Sequence, residues 1–190
     1  MRRSRLRNTA LAGGHGLAMS EPKSINELNA DLFQPEEDDH HSDPKAARQK
    51  AMDYLARREY GHEELVRKLS GAGFDVDIVA PVVDLLAGEG LQSDARYAES
   101  FVQSRINQGK GPVRIREELK QRGLNGAAIG RAIVESGQDW FELAREVRIR
   151  KFGNAVPADF PEKARQMRFL QFRGFESEQV QVAVSARGDD

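Results

Sequence analysis

Apolar residues recur at helical spacing along residues 93–124, in two stripes separated by a glycine-containing break. The hydroxyl of Ser93 is suited to cap the free amide groups of a first helical turn. The stripes consist of Tyr97, Ala98, Phe101 and Val102, and then of Ile115 and Leu119. Residues 109–111 interrupt the pattern, and Pro112 stands where a first helical turn tolerates proline. With Gly123 as an end signal, the stretch predicts a helix, a short turn and a second helix.

The same arrangement occurs three times along the chain, at spacings of 50 and 51 residues. Each copy has a leucine, a glycine four residues later, an apolar residue directly after it, and a β-branched residue five positions further on. The three sets are Leu69, Gly73, Phe74 and Val79, then Leu119, Gly123, Leu124 and Ile129, then Leu170, Gly174, Phe175 and Val180. The glycine allows a positive φ at a helix end, and the apolar residue plugs the helix junction. An internal period of this length predicts a repeated supersecondary unit.

Each unit has three apolar stripes with helical period, and no run of β-branched or aromatic residues alternates as in a strand. We therefore predict an all-α protein with three-helix repeats over residues 45–91, 92–137 and 138–190. A unit of about 50 residues buries little apolar surface, so neighbouring repeats should support one another. Phe169 and Phe172 cannot both face the same side as Leu170, which predicts that one of them is exposed.

Residues 1–44 have a different composition, and we predict that they form a disordered acidic tail. The acidic run over residues 36–43 cannot bury enough apolar surface to offset chain entropy. The basic start of the chain differs from a secretory signal because glycines and His15 break the apolar part at residues 13–16. An alternative is that translation begins at Met19. The pair at residues 40–41 is His-His, but adjacent histidines in a disordered run lack a fixed metal-binding geometry.

The composition excludes several classes of protein. Charged residues make up 31% of the chain and hydrophobic ones 39%, which suits helices with one buried stripe and one solvated face. There is no cysteine, so disulfides and thiolate metal sites are excluded. No stretch approaches the roughly 18 to 20 apolar residues that span a bilayer. We expect a cytoplasmic protein that does not bind membranes.

No set of residues in the sequence predicts catalysis. His62 is the only histidine in the predicted folded part, and a polar residue at a helix start needs no catalytic explanation. The Gly-Lys-Gly-Pro sequence at residues 109–112 is not a phosphate-binding loop, because that motif requires a preceding strand and a Ser or Thr after the lysine. We therefore expect neither an enzyme nor a bound cofactor or metal.

Basic residues are concentrated in the middle of the chain. Residues 93–173 carry 16 basic and 10 acidic groups, a net charge of +6, although the whole chain has a net charge of −1. The candidate binding residues are Arg105, Lys110, Arg114, Arg116, Lys120, Arg122, Arg145, Arg148, Arg150, Lys151, Arg168 and Arg173. One interpretation is an ordinary solvated surface, since acidic residues are interspersed. The other is a groove that contacts DNA phosphates or an acidic protein–DNA filament without reading sequence.

Four stretches, in this order, resemble the RecX family of bacterial regulatory proteins. They are YLARREYGHEELVRKLSGAGF, LQSDARYAESFVQSRINQGKGPVRIREELKQRGL, DWFELAREVRIRKFG and KARQMRFLQFRGF. The resemblance covers about residues 46–185, and residues 1–44 have no counterpart in it. It implies an elongated, curved arrangement of the three repeats. It also implies a regulator that binds the filament of the RecA recombinase on single-stranded DNA. We separately expect a monomer.

By the same resemblance, the protein would limit filament growth, ATP hydrolysis, strand exchange and co-protease activity by RecA, and so modulate DNA repair and the SOS response. Two alternatives remain open at this stage. One is a stand-alone helical protein that binds DNA non-specifically. The other is a structural adaptor, whose activity would survive reversal of the charges at Arg116, Lys120, Arg148 and Lys151.

Overall fold

The structure, a computed structural model, describes residues 41–185. Over this range the chain forms nine helices joined by short turns and contains no strand. The helices are α1 Pro44–Leu55, α2 His62–Ser70, α3 Val76–Gly88, α4 Asp94–Asn107, α5 Pro112–Lys120, α6 Gly126–Glu135, α7 Trp140–Phe152, α8 Phe160–Arg173 and α9 Ser177–Ser185. We call α1–α3 repeat 1, α4–α6 repeat 2 and α7–α9 repeat 3. The all-α prediction is confirmed, and the predicted disordered tail lies almost entirely outside the described residues.

Side chains cap the beginnings of α4, α6 and α7 in repeats 2 and 3, and Ser93 does so as predicted. The hydroxyl of Ser93 accepts from the amide of Arg96, and the side chain of Asn125 accepts from the amide of Ala128. The side chain of Asp139 accepts from the amides of Phe141 and Glu142, the second and third residues of α7. These side chains satisfy donors that a helix start would otherwise leave unpaired.

The glycine-containing signature takes the same backbone conformation in all three repeats. Gly73, Gly123 and Gly174 have φ angles of 100°, 89° and 89°. In each repeat the amide of the following apolar residue donates to the carbonyl of the signature leucine, over 3.2 to 3.3 Å. This six-to-one hydrogen bond is the Schellman ending of a helix. The repeat read from the sequence is therefore confirmed at the level of individual hydrogen bonds.

Buried side chains form two separate cores, whereas the sequence predicted that each repeat would support its neighbours. One core lies within repeat 1 and includes Leu65, Leu69 and Val83. The other runs through repeats 2 and 3 without a break and includes Leu119 and Leu170. Repeats 2 and 3 thus share one interior, whereas repeat 1 has its own.

The aromatic residues near the end of α8 divide as expected. Phe169 packs against the core that repeats 2 and 3 share, and its ring makes an edge-to-face contact with Phe152. Phe172 is 76% exposed. Among the described residues, no helix combines the length and the apolar character that crossing a bilayer requires.

Candidate functional site

Three arginines of repeat 2 converge on Glu118 of α5. Arg105 donates through Nε to its Oε2 over 2.6 Å, and Arg114 donates through Nε to its Oε1 over 2.9 Å. Arg122 donates to the backbone carbonyl of the same residue over 2.8 Å. Arg105 and Arg122 also lie over the Phe101 ring, at 4.2 and 4.7 Å from its centroid. These guanidinium groups are already engaged within the protein, which favours a structural role for them.

The electrostatics of Glu118 agree with that role. Burial by itself would raise the pKa of its carboxyl, but the hydrogen bonds from Arg105 and Arg114 outweigh burial and lower the pKa below its ordinary value. A carboxyl whose pKa is lower in the folded than in the unfolded state stabilises the fold at neutral pH. This contribution is lost as the pH falls through the pKa of the folded state.

Replacing Glu118 with glutamine should lower the free energy of unfolding at pH 7 by about 2 kcal/mol, because two charge-assisted hydrogen bonds lose their acceptor charge. The difference from the parent should shrink below about pH 4, where the parent carboxyl also becomes protonated. Urea unfolding at several pH values measures both effects. Glu117→Gln is the matched control, since its bond to Lys120 joins two side chains that are more than half exposed. The control should change stability by less than about 0.5 kcal/mol, and equal losses for the two variants would contradict this role of Glu118.

Three other candidate cations also have roles inside the protein. Lys120 pairs with Glu117 over 3.1 Å, and Arg145 pairs with Glu142 over 2.9 Å. Arg148 does not lie on the surface, which corrects its place among the candidate binding residues. Its side chain is fully buried, and its Nη1 donates to the carbonyl of Ala155 over 2.9 Å. Burial and the neighbouring Arg145 lower the pKa of Arg148. A charge reversal at Arg148 would therefore test folding instead of binding.

Repeats 2 and 3 meet where the end of α8 contacts the beginning of α5. The amide of Gly111 donates to the carbonyl of Arg173 over 2.9 Å, and the amide of Val113 donates to the carbonyl of Gly174 over 3.1 Å. The free carbonyls of one helix end thus satisfy the free amides of another helix start. The guanidinium of Arg173 spans the same junction and donates to the carbonyl of Gln108 over 2.9 Å.

Four cations surround this junction, and we call Lys110, Arg150, Lys151 and Arg173 the junction cluster. A cleft of about 140 Å³ is lined by three of them together with Gln108 and Phe169. None of the four forms an ion pair with a carboxylate within residues 41–185. Burial, followed by the positive charges of Arg114 and Arg173, lowers the pKa of Lys110. A half-buried lysine near other cations indicates a positive local potential, which suits an anionic partner.

The remaining candidates, Arg116 and Arg168, lie outside the junction cluster. Arg116 is half-buried on α5 and Arg168 is exposed on α8, and neither has an ion pair in the described part of the chain. The cations predicted from the sequence therefore fall into three groups: those that pair with acidic residues of the protein, the buried Arg148, and those without an ion pair. Lys110, Arg150, Lys151 and Arg173 are the unpaired ones that the fold brings together.

A second cleft, of about 470 Å³, lies between repeats 1 and 2. Arg58, Glu64 and Tyr97 line it beside Arg105 and Arg122. Arg58 pairs with Glu64 over 2.7 Å, and burial together with the Glu64 carboxylate raises the pKa of Tyr97 to about 12. Sequence analysis missed Arg58 because repeat 1 has no excess of basic residues. Within residues 41–185 no group of histidine and acidic side chains has the arrangement of a metal site.

Comparisons with known proteins show likeness over most of the described range. Family models described as the first, second and third three-helix domains of RecX match residues 47–86, 93–133 and 138–184. A protein of Pseudomonas savastanoi pv. phaseolicola named regulatory protein RecX is 50% identical over 147 residues, which cover 77% of this chain and 95% of that protein. A protein of the same name from Halorhodospira halophila is 47% identical over 146 residues, with 77% and 91% covered.

Two solved structures are also similar. A crystal structure of regulatory protein RecX aligns with a TM-score of 0.66 and 26% identity, covering 75% of this chain and 73% of that one. The crystal structure of RecX from Lactobacillus salivarius aligns with a TM-score of 0.64 and 21% identity, covering 74% and 94%. The second alignment bears on the fold alone.

Proposed function

Because the chain belongs to the RecX family of regulatory proteins, we propose that it regulates the RecA recombinase. In this proposal it binds the RecA filament on single-stranded DNA and limits filament growth. ATP hydrolysis, strand exchange and co-protease activity by RecA decrease as a consequence, which modulates DNA repair and the SOS response. The protein acts in the cytoplasm as a monomer, by binding and not by catalysis. The elongated, curved arrangement of the repeats stays a prediction.

The observation that carries this proposal is the unneutralised charge of the junction cluster. Lys110, Arg150, Lys151 and Arg173 have no carboxylate partner among the described residues, although acidic residues neutralise several of their neighbours. A filament of protein on DNA presents closely spaced phosphates and acidic side chains. Such an array attracts a cluster of cations strongly, and the attraction weakens with added salt.

The positions of these cations in their helices give a second reason, besides binding, for cations without an ion pair. Arg150 and Lys151 lie in the last turn of α7, and Arg173 lies in the last turn of α8. Cations stabilise a helix end by about 0.3 to 1 kcal/mol each through the helix dipole. That effect accounts for basic residues at each helix end separately. The helix dipole does not explain why two such helix ends lie together beside the half-buried Lys110. The proposed contact with an anionic filament does explain this clustering.

Titration of the purified protein into RecA on single-stranded DNA tests the proposal. ATP hydrolysis by RecA should fall at amounts equal to RecA or smaller. A reaction with RecA and no DNA measures the background. Unchanged hydrolysis across a wide range of ratios would rule out the proposed function.

Binding to bare DNA discriminates the alternative of a stand-alone DNA-binding protein. The proposal expects weak, non-specific binding to single- and double-stranded DNA that disappears at modest salt. Tight binding that depends on sequence and persists at high salt would favour the alternative. Fluorescence anisotropy with labelled oligonucleotides at several salt concentrations separates the two.

A further inference from the structure

The two junctions between repeats are built from different interactions. Across the junction of repeats 2 and 3, two backbone hydrogen bonds join α5 to the end of α8, and one apolar core continues from one repeat into the next. The Cα hydrogens of Gly111 face the backbone of Gly174 so closely that no side chain fits between them. Such a junction resists relative movement because any displacement breaks backbone hydrogen bonds and core packing together.

The junction of repeats 1 and 2 is mainly polar. Arg96 pairs with Glu59 through Nε over 2.7 Å. The amide of His62 at the start of α2 donates to Asp94 over 2.8 Å, and the Gln92 side chain donates to the carbonyl of Tyr60 over 3.1 Å. No core cluster includes residues of both repeats in the described part of the chain. Side-chain hydrogen bonds and a partly exposed ion pair can break and re-form with solvent, so they restrain movement less than a continuous apolar core does.

Two apolar side chains, Tyr97 and Leu124, approach Gly61 closely at this junction. The ring of Tyr97 lies 3.1 Å from the position that a Cβ on Gly61 would occupy, and Leu124 approaches the same position to 3.5 Å. The 470 Å³ cleft lies directly beside this ring. The chain between the repeats passes through Gly90, which lies between the end of α3 and Ser93 and has a φ of 73°.

We propose that repeat 1 is a hinged arm, which swings about residues 89–92 relative to a rigid body formed by repeats 2 and 3. The Tyr97 ring acts as the pivot, and the polar contacts of Arg96, Asp94 and Gln92 hold the closed position. Opening widens the 470 Å³ cleft and increases the solvent exposure of Arg58, Arg105 and Arg122. Salt favours the open position because it screens the ion pair between Arg96 and Glu59.

Distance measurements between spin labels test the hinge. The sequence contains no cysteine, so a label attaches only at the cysteines that are introduced. Asp77→Cys with Arg131→Cys reports across the junction of repeats 1 and 2. Arg131→Cys with Lys163→Cys reports across the junction of repeats 2 and 3 and serves as the control. All three positions are exposed. We expect a distance distribution about twice as wide for the first pair, and a distribution no wider than that of the control overturns the proposal.

The native chain gives a second measurement. Its one tryptophan, Trp140, packs against the core that repeats 2 and 3 share and reports only on that body. Circular dichroism reports on the helices of all repeats. Because repeat 1 has a separate and smaller core, its helices should unfold in urea before Trp140 fluorescence changes. Coincident transitions for the two probes would indicate one cooperative unit and would contradict an independently moving arm.

Discussion

Replacing Gly111 with alanine should lower the free energy of unfolding by about 3 kcal/mol, a large effect for the addition of one methyl group. The new Cβ would lie 2.3 Å from the carbonyl carbon and oxygen of Gly174 and 2.4 Å from the amide nitrogen of Phe175. These are backbone atoms and cannot rotate away. The start of α5 must then separate from the end of α8, which weakens the hydrogen bonds that hold repeats 2 and 3 together.

Backbone conformation does not require glycine at this position, since Gly111 has an ordinary φ of −81°. The expected loss therefore measures the close approach of the two repeats. Gly130→Ala is the matched control, because Gly130 lies inside α6 and its added Cβ meets no atom within 4 Å. The control should be neutral or stabilising by up to about 1 kcal/mol, the difference in helix propensity between the two residues. Equal stabilities of the two variants in urea unfolding would contradict the described junction.

Reversing two charges of the junction cluster, Arg150→Glu with Lys151→Glu, should raise the amount of protein needed for half-inhibition of RecA ATP hydrolysis at least about tenfold. This factor corresponds to about 1.4 kcal/mol of binding free energy. Both side chains are exposed, and neither has an ion pair within residues 41–185. Reversal replaces attraction to an anionic partner with repulsion and leaves the cores intact. The same ATPase titration measures the effect.

The control for this prediction carries the same change of net charge elsewhere. Arg131→Glu with Lys163→Glu alters two exposed cations outside the cluster. It should shift the half-inhibition point by less than about threefold, because only the long-range field changes. Thermal unfolding of both variants verifies that the fold is kept. If the two double variants lose inhibition equally, the junction cluster is not the contact.

The repeated fold was predictable because its signals are local. Leu119, Gly123 and Leu124 lie within six residues, and their pattern fixes a helix end whose six-to-one hydrogen bond the structure shows. The contact of Gly111 with Gly174 could not be predicted in this way, since it joins residues 63 positions apart. The core that repeats 2 and 3 share could not be predicted from the sequence either. It depends on the packing of one repeat against the next, which no local pattern specifies.

The sequence predicted where along the chain the candidate binding residues lie, but not how the fold arranges them in space. A signal for the burial of Arg148 did exist, because it follows Ala144 by one helical turn on the inward stripe, but a charged residue is assigned to the surface by default. The spacing of Arg114, Glu118 and Arg122 likewise indicated contacts one turn apart. The meeting of Lys110 with Arg173 could not be read from the sequence, because two different repeats supply these residues.

Electron microscopy of RecA filaments tests the proposed regulation most directly. Filaments on long single-stranded DNA are imaged after incubation with the protein, in the amounts that inhibit ATP hydrolysis, and their lengths are compared with those of untreated filaments. The wild-type protein should shorten the length distribution, and the variant with Arg150→Glu and Lys151→Glu should leave it unchanged at the same concentration. Filaments of unchanged length at every concentration of the wild-type protein would contradict a role in limiting filament growth.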